Sequence, residues 1–449
     1  GVDTTFVGTD KNDLFKAALL TVNDGDTLDG GAGVDTLNAE INAAVTDKFK
    51  SSNIEKVNLT TYGDQKVDMK NITGVETVTT KNSTGTLTLN NVATSTVGFG
   101  FEGSSTNSIK ANHVAGALAG ANDILNVNLN GAKDVSLNVA AGFESAKITT
   151  AGTNDVTTLT APGVTTYTVE GTGSVNFKNG LTNVTTLSAT NNSGAITTTV
   201  NATTGFVDNA ITAGTNGASV LLGAGNDNIG FTTTASKTST VKLGAGDDKL
   251  LLKAAGAVAG ATYVFGEAGN DTIKIDIASG ALTTSDLIDG GEGIDTLVLD
   301  NNAANQMVLR GVEKLTLTKT AANANVINSA DSAIAVTVEA GNAGTATAAS
   351  ITGLTSGSTV TVNDSKDATG GVGALTVGYK ALEAAATIDV NSVKANAAVT
   401  INNVTAATID YAKSASSATG NITTDQTTSL NIIAAKSVTT GNIISGDKL

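Results

Sequence analysis

The stretch Gly290-Gly-Glu-Gly-Ile-Asp295-Thr-Leu297 decides the fold of this chain, because three related loops precede it at nearly constant spacing. Each loop ends in an Asp, skips one residue and then places an aliphatic residue. Glycine permits backbone conformations with positive φ that side chains disfavour, so each loop predicts a tight turn. The three related loops are Gly223-Ala-Gly-Asn-Asp227, Gly244-Ala-Gly-Asp-Asp248 and Gly266-Glu-Ala-Gly-Asn-Asp271.

The spacing of these loops indicates a coil that repeats. The Asp residues at the loop ends are separated by 21, 23 and 24 residues, and a second column of aliphatic residues recurs with the same steps. Two columns with one period predict two strands and two turns per coil, as in a parallel β-solenoid. A coil of two nonapeptides needs about 18 residues, so we expect the surplus in the opposite turn, where Asp286 persists. The second column consists of Val220, Val241, Val264 and Ile288.

Stacking of the loops predicts a metal site between them. Successive coils lie about 4.8 Å apart, so one Asp per coil would bring carboxylates close enough to repel each other. Calcium takes roughly six to eight oxygen ligands at about 2.3–2.6 Å, and carbonyls plus carboxylates from two adjacent coils provide such a set. We therefore expect calcium ions shared by Asp227 and Asp248, by Asp248 and Asp271, and by Asp271 and Asp295. The alternative is a series of Gly-Asx turns without metal.

Residues 1–40 carry a weaker copy of the same device. The loop Gly8-Thr-Asp-Lys-Asn-Asp13 is followed, 22 residues after its Asp, by Gly30-Gly-Ala-Gly-Val-Asp35. We expect two coils here with one calcium position between the Asp13 and Asp35 loops, although Lys11 replaces a Gly. The expected metal-site residues of the whole chain are Gly8, Asp10, Asp13, Asp26, Gly30, Gly31, Gly33, Asp35, Gly223, Gly225, Asp227, Gly244, Gly246, Asp248, Gly266, Gly269, Asp271, Asp286, Gly290, Gly291, Gly293 and Asp295.

The segments around these loops have the pattern of short strands. Alternating runs such as Val135-Ser-Leu-Asn-Val fit a pleated, half-buried surface, and Asn, Gly and Asp interrupt them at irregular intervals. The pattern predicts an all-β chain of extended right-handed parallel β-solenoid or β-roll segments with calcium-binding turns. The expected segments are a degenerate leader at 1–45, a solenoid-like β region at 46–205, the Gly-Asp block at 206–300 and a solenoid-like region at 301–449.

Three local features leave alternatives open. Residues 41–51 fit a short helix or a loop, and Tyr379–Ala386 fit one or two helical turns. An aliphatic residue followed by Glu recurs before alternating strands, and these Glu residues are either catalytic groups or metal ligands, or structural devices at a turn of the coil. The repeated position favours the structural interpretation. The recurring pairs are Ile54-Glu55, Val75-Glu76 and Val312-Glu313.

Composition excludes several classes of protein. The chain has 26 Lys and Arg against 41 Asp and Glu, a net charge of −15, which disfavours nucleic-acid binding and which divalent cations would offset in part. There is no Cys, so neither disulfides nor thiol chemistry contribute. No run of about 18 apolar residues predicts a membrane span. We find no cleavable leader, so either it has been removed, or the chain is a fragment, or its export signal lies elsewhere.

The search for an active site predicts no enzyme. His113 is the single histidine, which excludes a two-His zinc metalloprotease helix, and its sequence context predicts an ordinary surface or turn position. No nucleophile elbow and no phosphate-binding loop is present. The pair Asp247 and Asp248 lies in a Gly-Asp loop, which points to calcium. A glycosidase on a β-solenoid would usually line its sugar groove with aromatic residues, which make up 3% of this chain.

The Gly-Asp block, the Gly8–Leu37 leader, the Thr-, Ala- and Asn-rich flanks and the lack of Cys together resemble the RTX-type S-layer proteins of Gram-negative bacteria. The resemblance implies type I secretion, folding that depends on several calcium ions, and self-assembly into a two-dimensional lattice that covers the outer membrane. In that family a separate N-terminal segment commonly anchors the layer to lipopolysaccharide. This chain looks like the lattice-forming part, with any lipopolysaccharide contact made by a region outside it.

Two other functions stay open at this stage. The first is an RTX adhesin or surface passenger segment, which would usually show a tandem of domains with one repeat length. The second is a polysaccharide-modifying β-solenoid enzyme, which would need a clustered acidic and aromatic groove. The sequence shows neither feature, so the structural lattice protein is the expected function.

Overall fold

A computed structural model gives the fold. It describes residues 5–198, 210–214, 216–233, 237–254, 260–276, 282–300, 306–318, 324–326, 328–329, 332–339, 347–363, 372–391, 398–412, 420–434 and 440–446. Within these residues all regular structure is β-strand, and every strand pairing recorded is parallel, as the sequence predicts. The chain divides into two compact units, Gly1–Gly214 with Ser219–Ile229, and Thr215–Ala218 with Gly230–Leu449. The predicted block 206–300 thus contributes to both units.

The first part of the chain contributes the following strands, numbered in chain order: β1 (Thr5–Val7), β2 (Leu14–Ala17), β3 (Thr27–Asp29), β4 (Thr36–Ile41), β5 (Lys50–Ser52), β6 (Lys56–Thr61), β7 (Gln65–Asp68), β8 (Thr77–Lys81), β9 (Gly85–Val92), β10 (Gly98–Glu102), β11 (Asn107–His113), β12 (Ile124–Asn130), β13 (Val135–Val139), β14 (Ser145–Ala151), β15 (Thr153–Thr160), β16 (Thr166–Gly171), β17 (Ser174–Phe177), β18 (Thr186–Asn192), β19 (Ile196–Thr198), β20 (Ala210–Thr212), β21 (Ser219–Leu221) and β22 (Asn228–Thr233).

The second part contributes the remaining strands: β23 (Ser239–Ala245), β24 (Lys249–Ala254), β25 (Thr262–Ala268), β26 (Thr272–Asp276), β27 (Leu287–Asp289), β28 (Thr296–Asp300), β29 (Val308–Arg310), β30 (Lys314–Thr318), β31 (Ala324–Val326), β32 (Asn328–Ser329), β33 (Ala335–Glu339), β34 (Thr347–Leu354), β35 (Thr359–Asn363), β36 (Val372–Asn391), β37 (Val399–Tyr411), β38 (Ile422–Thr424), β39 (Ser429–Ala434) and β40 (Ile443–Ser445).

The first unit is a two-sheet solenoid, because each coil gives one strand to each sheet. From β6 to β17 the even-numbered strands form one sheet and the odd-numbered strands form the other. Residues in register from coil to coil stack in columns, such as Val57 on Val78 and Val78 on Phe99. These inward columns are buried while alternate residues face outward, which is the period-two pattern of a half-buried strand.

The second unit follows the same plan. Strands β24, β26, β28, β30, β33 and β35 stack in parallel, and the long strands β36 and β37 continue the stack. One inward column runs from Leu250 through Ile273, Leu297 and Leu315 to Val336, and each of these side chains is buried. Neighbouring coils bury aliphatic columns against each other, so the solenoid extends without a large aromatic core.

Two local expectations are settled by the strand pairing. Tyr379–Ala386, expected as helical turns, lie inside strand β36, so that expectation is wrong. Residues in this stretch pair in parallel register on β37, for example Ala386 with Ala407, and this pairing overrides a local preference for helix. Residues 41–51 form turns between β4 and β5 and contain no helix, so the loop alternative is confirmed. Phe49 at the end of this loop is buried.

A second kind of contact joins the coils at their turns, which we name the cross-coil rung: a backbone N–H of one coil donates to a side-chain oxygen of the next. Thr61 N–H donates to Ser83 Oγ at 2.9 Å, and Ser83 N–H donates to Ser104 Oγ at 3.2 Å. Farther along, Ala132 N–H donates to Asn154 Oδ1 at 3.0 Å. Buried N–H groups need an acceptor, so these polar side chains are buried for a structural reason.

Substitutions of two buried serines in the first unit test this role. Ser83→Ala should lower the free energy of unfolding by about 1–3 kcal/mol, because it leaves the Thr61 N–H buried without its acceptor. Ser51→Ala should instead raise the free energy of unfolding by about 1 kcal/mol, because Ser51 Oγ is buried beside an apolar cavity of about 30 Å³ and has no hydrogen-bond partner. Thermal melts of the two variants check both signs. Equal destabilisation by the two variants would contradict the rung.

Candidate metal centre

The Gly-Asp loops stack as the spacing predicts, and their backbones bond directly to one another. Gly269 N–H donates to Glu292 O at 2.8 Å, and Glu292 N–H donates to Glu267 O at 2.7 Å. Glu267 stands where the full motif has its second Gly, and it adopts a φ of 74°. Its counterpart Gly291 has a φ of 97°. The turn therefore imposes a left-handed conformation at this position, which explains why most of the loops place Gly there.

The Asp residues that end the loops form a column of cross-coil rungs. Asp248 N–H donates to Asp271 Oδ1 at 2.9 Å, and Asp271 N–H donates to Asp295 Oδ1 at 2.7 Å. In the leader, Asp13 N–H donates to Asp35 Oδ1 at 2.6 Å. We name these two series the central ladder and the leader ladder. Asp35, Asp271 and Asp295 are each at most 1% exposed, so the carboxylates are held inside the stack.

Each ladder ends on a Glu in the next coil. Asp35 N–H donates to Glu55 Oε2 at 2.7 Å, and Asp295 N–H donates to Glu313 Oε2 at 2.8 Å. The aliphatic-Glu element found in the sequence therefore places a carboxylate in the position that an Asp occupies within the ladder. This contact fits the structural role favoured for two of these Glu residues.

One carboxylate oxygen remains to be accounted for in three of the ladder residues. Oδ1 accepts the rung hydrogen bond, whereas Oδ2 of Asp35, Asp271 and Asp295 is buried with no hydrogen-bond partner. Asp271 Oδ2 lies 2.3 Å from the point where a Cβ of Gly266 would stand, and Gly290 O lies 2.0 Å from the same point. A carboxylate oxygen and a carbonyl oxygen thus converge beside a glycine. Two hard oxygens of this kind are part of the ligand set that calcium prefers.

Other expected ligands are already satisfied by the protein. Asp13 Oδ2 accepts hydrogen bonds from the Thr9 N–H at 2.6 Å and from its hydroxyl at 2.9 Å. Asp286 Oδ2 accepts from the Thr283 N–H at 2.6 Å, and Asp286 Oδ1 accepts from the Thr262 N–H at 2.6 Å. The structure therefore separates carboxylates that close a turn from carboxylates that keep an oxygen for another partner.

The remaining expected ligands take other positions. Asp26 Oδ2 accepts a hydrogen bond from Asn23 N–H at 2.9 Å, as in a turn. Asp10 is exposed. Asp227 is buried and accepts a hydrogen bond from Ile196 N–H. Asp227 belongs to the first compact unit and Asp248 to the second, so a calcium ion shared by these two residues stays a prediction.

Burial makes the ladder carboxylates unfavourable as bare anions. Burial raises the pKa of Asp271 to about 7, the rung from Asp248 N–H opposes that rise, and the charges of Asp295 and Asp247 add to it. The pKa of Asp295 is raised as well, first by burial and then by the charges of Glu313 and Asp289, while its rung lowers it. Either a bound proton or a bound cation relieves this cost.

The donor set fits a hard cation held by mixed ligands. In the part of the chain that the structure describes, no group of three or more His, Cys, Asp or Glu side chains could hold a metal ion. A cation here would need main-chain carbonyls in addition to the ladder carboxylates. Calcium accepts such a set readily, whereas structural zinc requires Cys and His. When bound, calcium would neutralise the buried carboxylates.

A second, exposed ladder was not recognised in the sequence. Asn270 N–H donates to Asp247 Oδ1 at 2.8 Å, and Ile294 N–H donates to Asn270 Oδ1 at 2.9 Å. In the leader, Val34 N–H donates to Asn12 Oδ1 at 2.9 Å. The signal was present as an Asn or Asp directly before a ladder Asp in four loops. These hydrogen bonds also lower the pKa of Asp247.

The single histidine packs inside the first unit rather than on a bare surface. His113 ends β11 and is half-buried, with Nε2 3.1 Å from Thr96 O. Its ring meets Phe99 and Phe143 edge to face, at centroid distances of 6.2 Å and 5.5 Å. Burial lowers its pKa. These contacts assign His113 a packing role.

Comparisons of the chain with models of known families, with curated proteins and with solved structures found no match. Within the described residues there is no helix with the length and apolar character needed to cross a membrane. The geometry of the ladders is therefore what an inference about function must rest on.

The substitution Asp271→Asn distinguishes a cation site from a plain hydrogen-bonding column. The amide oxygen keeps the rung to Asp248 N–H, while the buried charge is removed. In excess chelator at pH 8 the variant should melt a few degrees higher than the wild type, because a change of about 1 kcal/mol moves the melting temperature by roughly 2–4 °C. In millimolar calcium the order should reverse.

The matched control is Asp286→Asn. Both oxygens of Asp286 already accept protein hydrogen bonds, so this variant should be destabilised to the same extent in chelator and in calcium. A shift of the same sign and size for Asp271→Asn in both media would show that Asp271 serves only as a rung.

The raised pKa of Asp271 also predicts the effect of pH without calcium. The folded state holds a proton up to a pH of about 7, whereas the unfolded chain releases it near 3.8. The resulting stabilisation is complete below pH 4 and is lost as pH rises through 7. In chelator, the difference in unfolding free energy between wild type and Asp271→Asn should therefore change across this interval. Denaturant melts from pH 4 to pH 8 measure it, and a constant difference would contradict the shift.

Proposed function

We propose that this protein is a structural protein of the bacterial cell surface that binds several calcium ions and assembles edge to edge into a two-dimensional lattice, without catalytic activity. The observation that carries the proposal is the set of buried carboxylate oxygens on Asp35, Asp271 and Asp295 that no protein donor satisfies. They lie in the turns of a β-solenoid, a scaffold that presents long outward faces. Type I secretion and a lipopolysaccharide contact outside this chain belong to the same proposal and rest on the sequence resemblance.

Calcium is the cation that the ladders favour. The converging oxygens come from carboxylates and main-chain carbonyls, and neighbouring coils are held at a fixed spacing by backbone hydrogen bonds. Calcium tolerates such irregular oxygen shells, whereas magnesium demands a smaller octahedral shell and keeps its water. Single sites of this extracellular type bind with dissociation constants on the order of 0.1–1 mM.

A structural role is supported by how the side chains are used. The outward faces of the first unit carry polar columns that bond to themselves, such as Asn58 Nδ2 to Asn38 Oδ1 at 2.8 Å and Asn112 Nδ2 to Asn90 Oδ1 at 3.0 Å. The one histidine is engaged in packing. The ladder carboxylates are buried and bonded to backbone groups, where a bulky substrate could not reach them.

The charge of the chain supports a role for cations in assembly. A net charge of −15 opposes self-association through long-range repulsion. Calcium would act within the solenoid by neutralising the ladders and between subunits by offsetting the surface charge. We expect assembly in millimolar calcium and dissociation on chelation.

Calcium should raise the thermal stability of the isolated protein. A ligand that binds only the native state stabilises it by about 2.7 kcal/mol for each site at one hundred times its dissociation constant. Melting temperatures in chelator, calcium and magnesium measure the effect, which should be largest in calcium. An identical melting curve in all three media would rule out the calcium-dependent fold.

Assembly is tested by light scattering and electron microscopy of the full chain during a calcium titration. The expected result is planar sheets in calcium that dissolve when chelator is added, and no sheets in magnesium. The variant Asp271→Asn, which removes one ladder charge, should need more calcium to assemble than Asp286→Asn. Protein that gains stability in calcium yet stays monomeric would refute the lattice and favour the adhesin or passenger segment.

A further inference from the structure

Both ladders end on coils that have no Gly-Asp loop, and the two end coils are built alike. The leader ladder ends at Asn53-Ile-Glu55 and the central ladder ends at Gly311-Val-Glu313. Asn53 and Gly311 both adopt the left-handed conformation, with φ of 53° and 51°. We name the space between the last Gly-Asp loop and this end coil the terminal gap.

The terminal gap of the central ladder repeats the geometry found inside the ladder. Inside, Asp271 Oδ2 and Gly290 O lie 2.3 Å and 2.0 Å from the point where a Cβ of Gly266 would stand. In the terminal gap, Asp295 Oδ2 and Gly311 O lie 2.6 Å and 2.0 Å from the corresponding point at Gly290. The end coil thus presents the same pair of oxygens as a Gly-Asp loop does.

The terminal gap of the leader ladder has the same arrangement. Asp35 Oδ2 and Asn53 O lie 2.5 Å and 1.8 Å from the point where a Cβ of Gly30 would stand. Two gaps in separate compact units therefore share one construction. Their carbonyls come from left-handed residues, although one of these is Asn and the other is Gly.

The carboxylates of the terminal gaps have an oxygen left for a ligand. Asp35 and Asp295 are 0% and 1% exposed, and Oδ2 of each is buried without a hydrogen-bond partner. The Glu of the end coil binds the backbone N–H of that Asp and adds a second negative charge to the gap. A buried anionic oxygen of this kind is costly unless a cation lies beside it.

We propose that each terminal gap is a further site for a divalent cation of the size of calcium. One site uses Asp295, the carbonyl of Gly311 and Glu313, and the other uses Asp35, the carbonyl of Asn53 and Glu55. The Glu residue takes the place of the Asp that a further loop would supply. This inference rests on calcium binding by the ladders, and it adds one ion to each ladder beyond those shared by successive loops.

Glu76 provides a matched control in the first unit. It belongs to the same aliphatic-Glu element and follows Gly74, which also has a positive φ of 87°. It stands one coil beyond Glu55, where its N–H donates to Glu55 O at 2.9 Å, and no Gly-Asp loop adjoins it. Glu76→Gln therefore removes one negative charge from the same kind of turn without touching a terminal gap.

The test counts calcium bound by the full chain in equilibrium dialysis at 1 mM free calcium. The variants are Glu55→Gln, Glu313→Gln, the double variant and Glu76→Gln. Glutamine keeps an oxygen that accepts the Asp N–H, so the turn is preserved while the charge is lost. We expect each single variant to bind about one ion fewer than the wild type, the double variant about two fewer, and Glu76→Gln the full number.

The outcomes separate this inference from the proposed function. If Glu55→Gln and Glu313→Gln bind as many ions as Glu76→Gln with the same affinity, the terminal sites do not exist, although calcium still binds the loops. If the wild type binds no calcium, both this inference and the calcium-dependent function are wrong. Melts in chelator check folding. The two sites lie in different compact units, so either variant decides the question if the other does not fold.

Discussion

The structure depends on how one coil satisfies the backbone of the next at the turns. Strand residues find backbone acceptors across the parallel ladder, but turn residues leave N–H groups that point between coils. A side-chain oxygen about one coil later accepts them, whether it belongs to Ser83, Asn154, Asp271 or Glu313. A buried N–H without an acceptor costs about 1–3 kcal/mol. Repetition of this contact fixes the register of the coils as firmly as the aliphatic columns do.

The chemical identity of the accepting side chain decides what else a turn can do. A serine hydroxyl that accepts one N–H can donate its proton to a nearby carbonyl, as Ser83 does to Leu59 O at 3.1 Å. An aspartate brings a second oxygen and a negative charge. Where the loop supplies no donor, as at Asp271, the charge is buried and its pKa rises to about 7. A structural contact thereby becomes a place where a proton or a cation is favourable.

The two kinds of Asp in the loops show how finely this depends on neighbours. Thr9 and Thr283 each turn back to bond the second oxygen of Asp13 and Asp286. In the full-motif loop a glycine stands five residues before Asp295, and the same oxygen lies against its Cα. The glycine therefore makes room for the carboxylate and for the carbonyl of the following coil. The resulting oxygen pair is the feature on which the calcium-dependent function is proposed.

The sequence by itself determined the repeating features of this protein. The steps of 21, 23 and 24 residues between Asp227, Asp248, Asp271 and Asp295 predicted parallel coils, and the strand register follows those steps. Alternation of apolar residues likewise predicted the inward columns. Such periodic features can be read from sequence because each coil repeats the same local pattern.

Only the tertiary structure decided which oxygens have partners. The acceptor of a turn N–H lies 18 to 24 residues away in these ladders, so local pattern cannot show whether Glu55 or a Gly-Asp loop will fill the position. The same distance explains why Tyr379–Ala386 could be taken for a helix, since their strand partners lie a coil away in β37. Loop residues with the same identity, such as Asp13 and Asp35, differ in role because their neighbours in the folded stack differ.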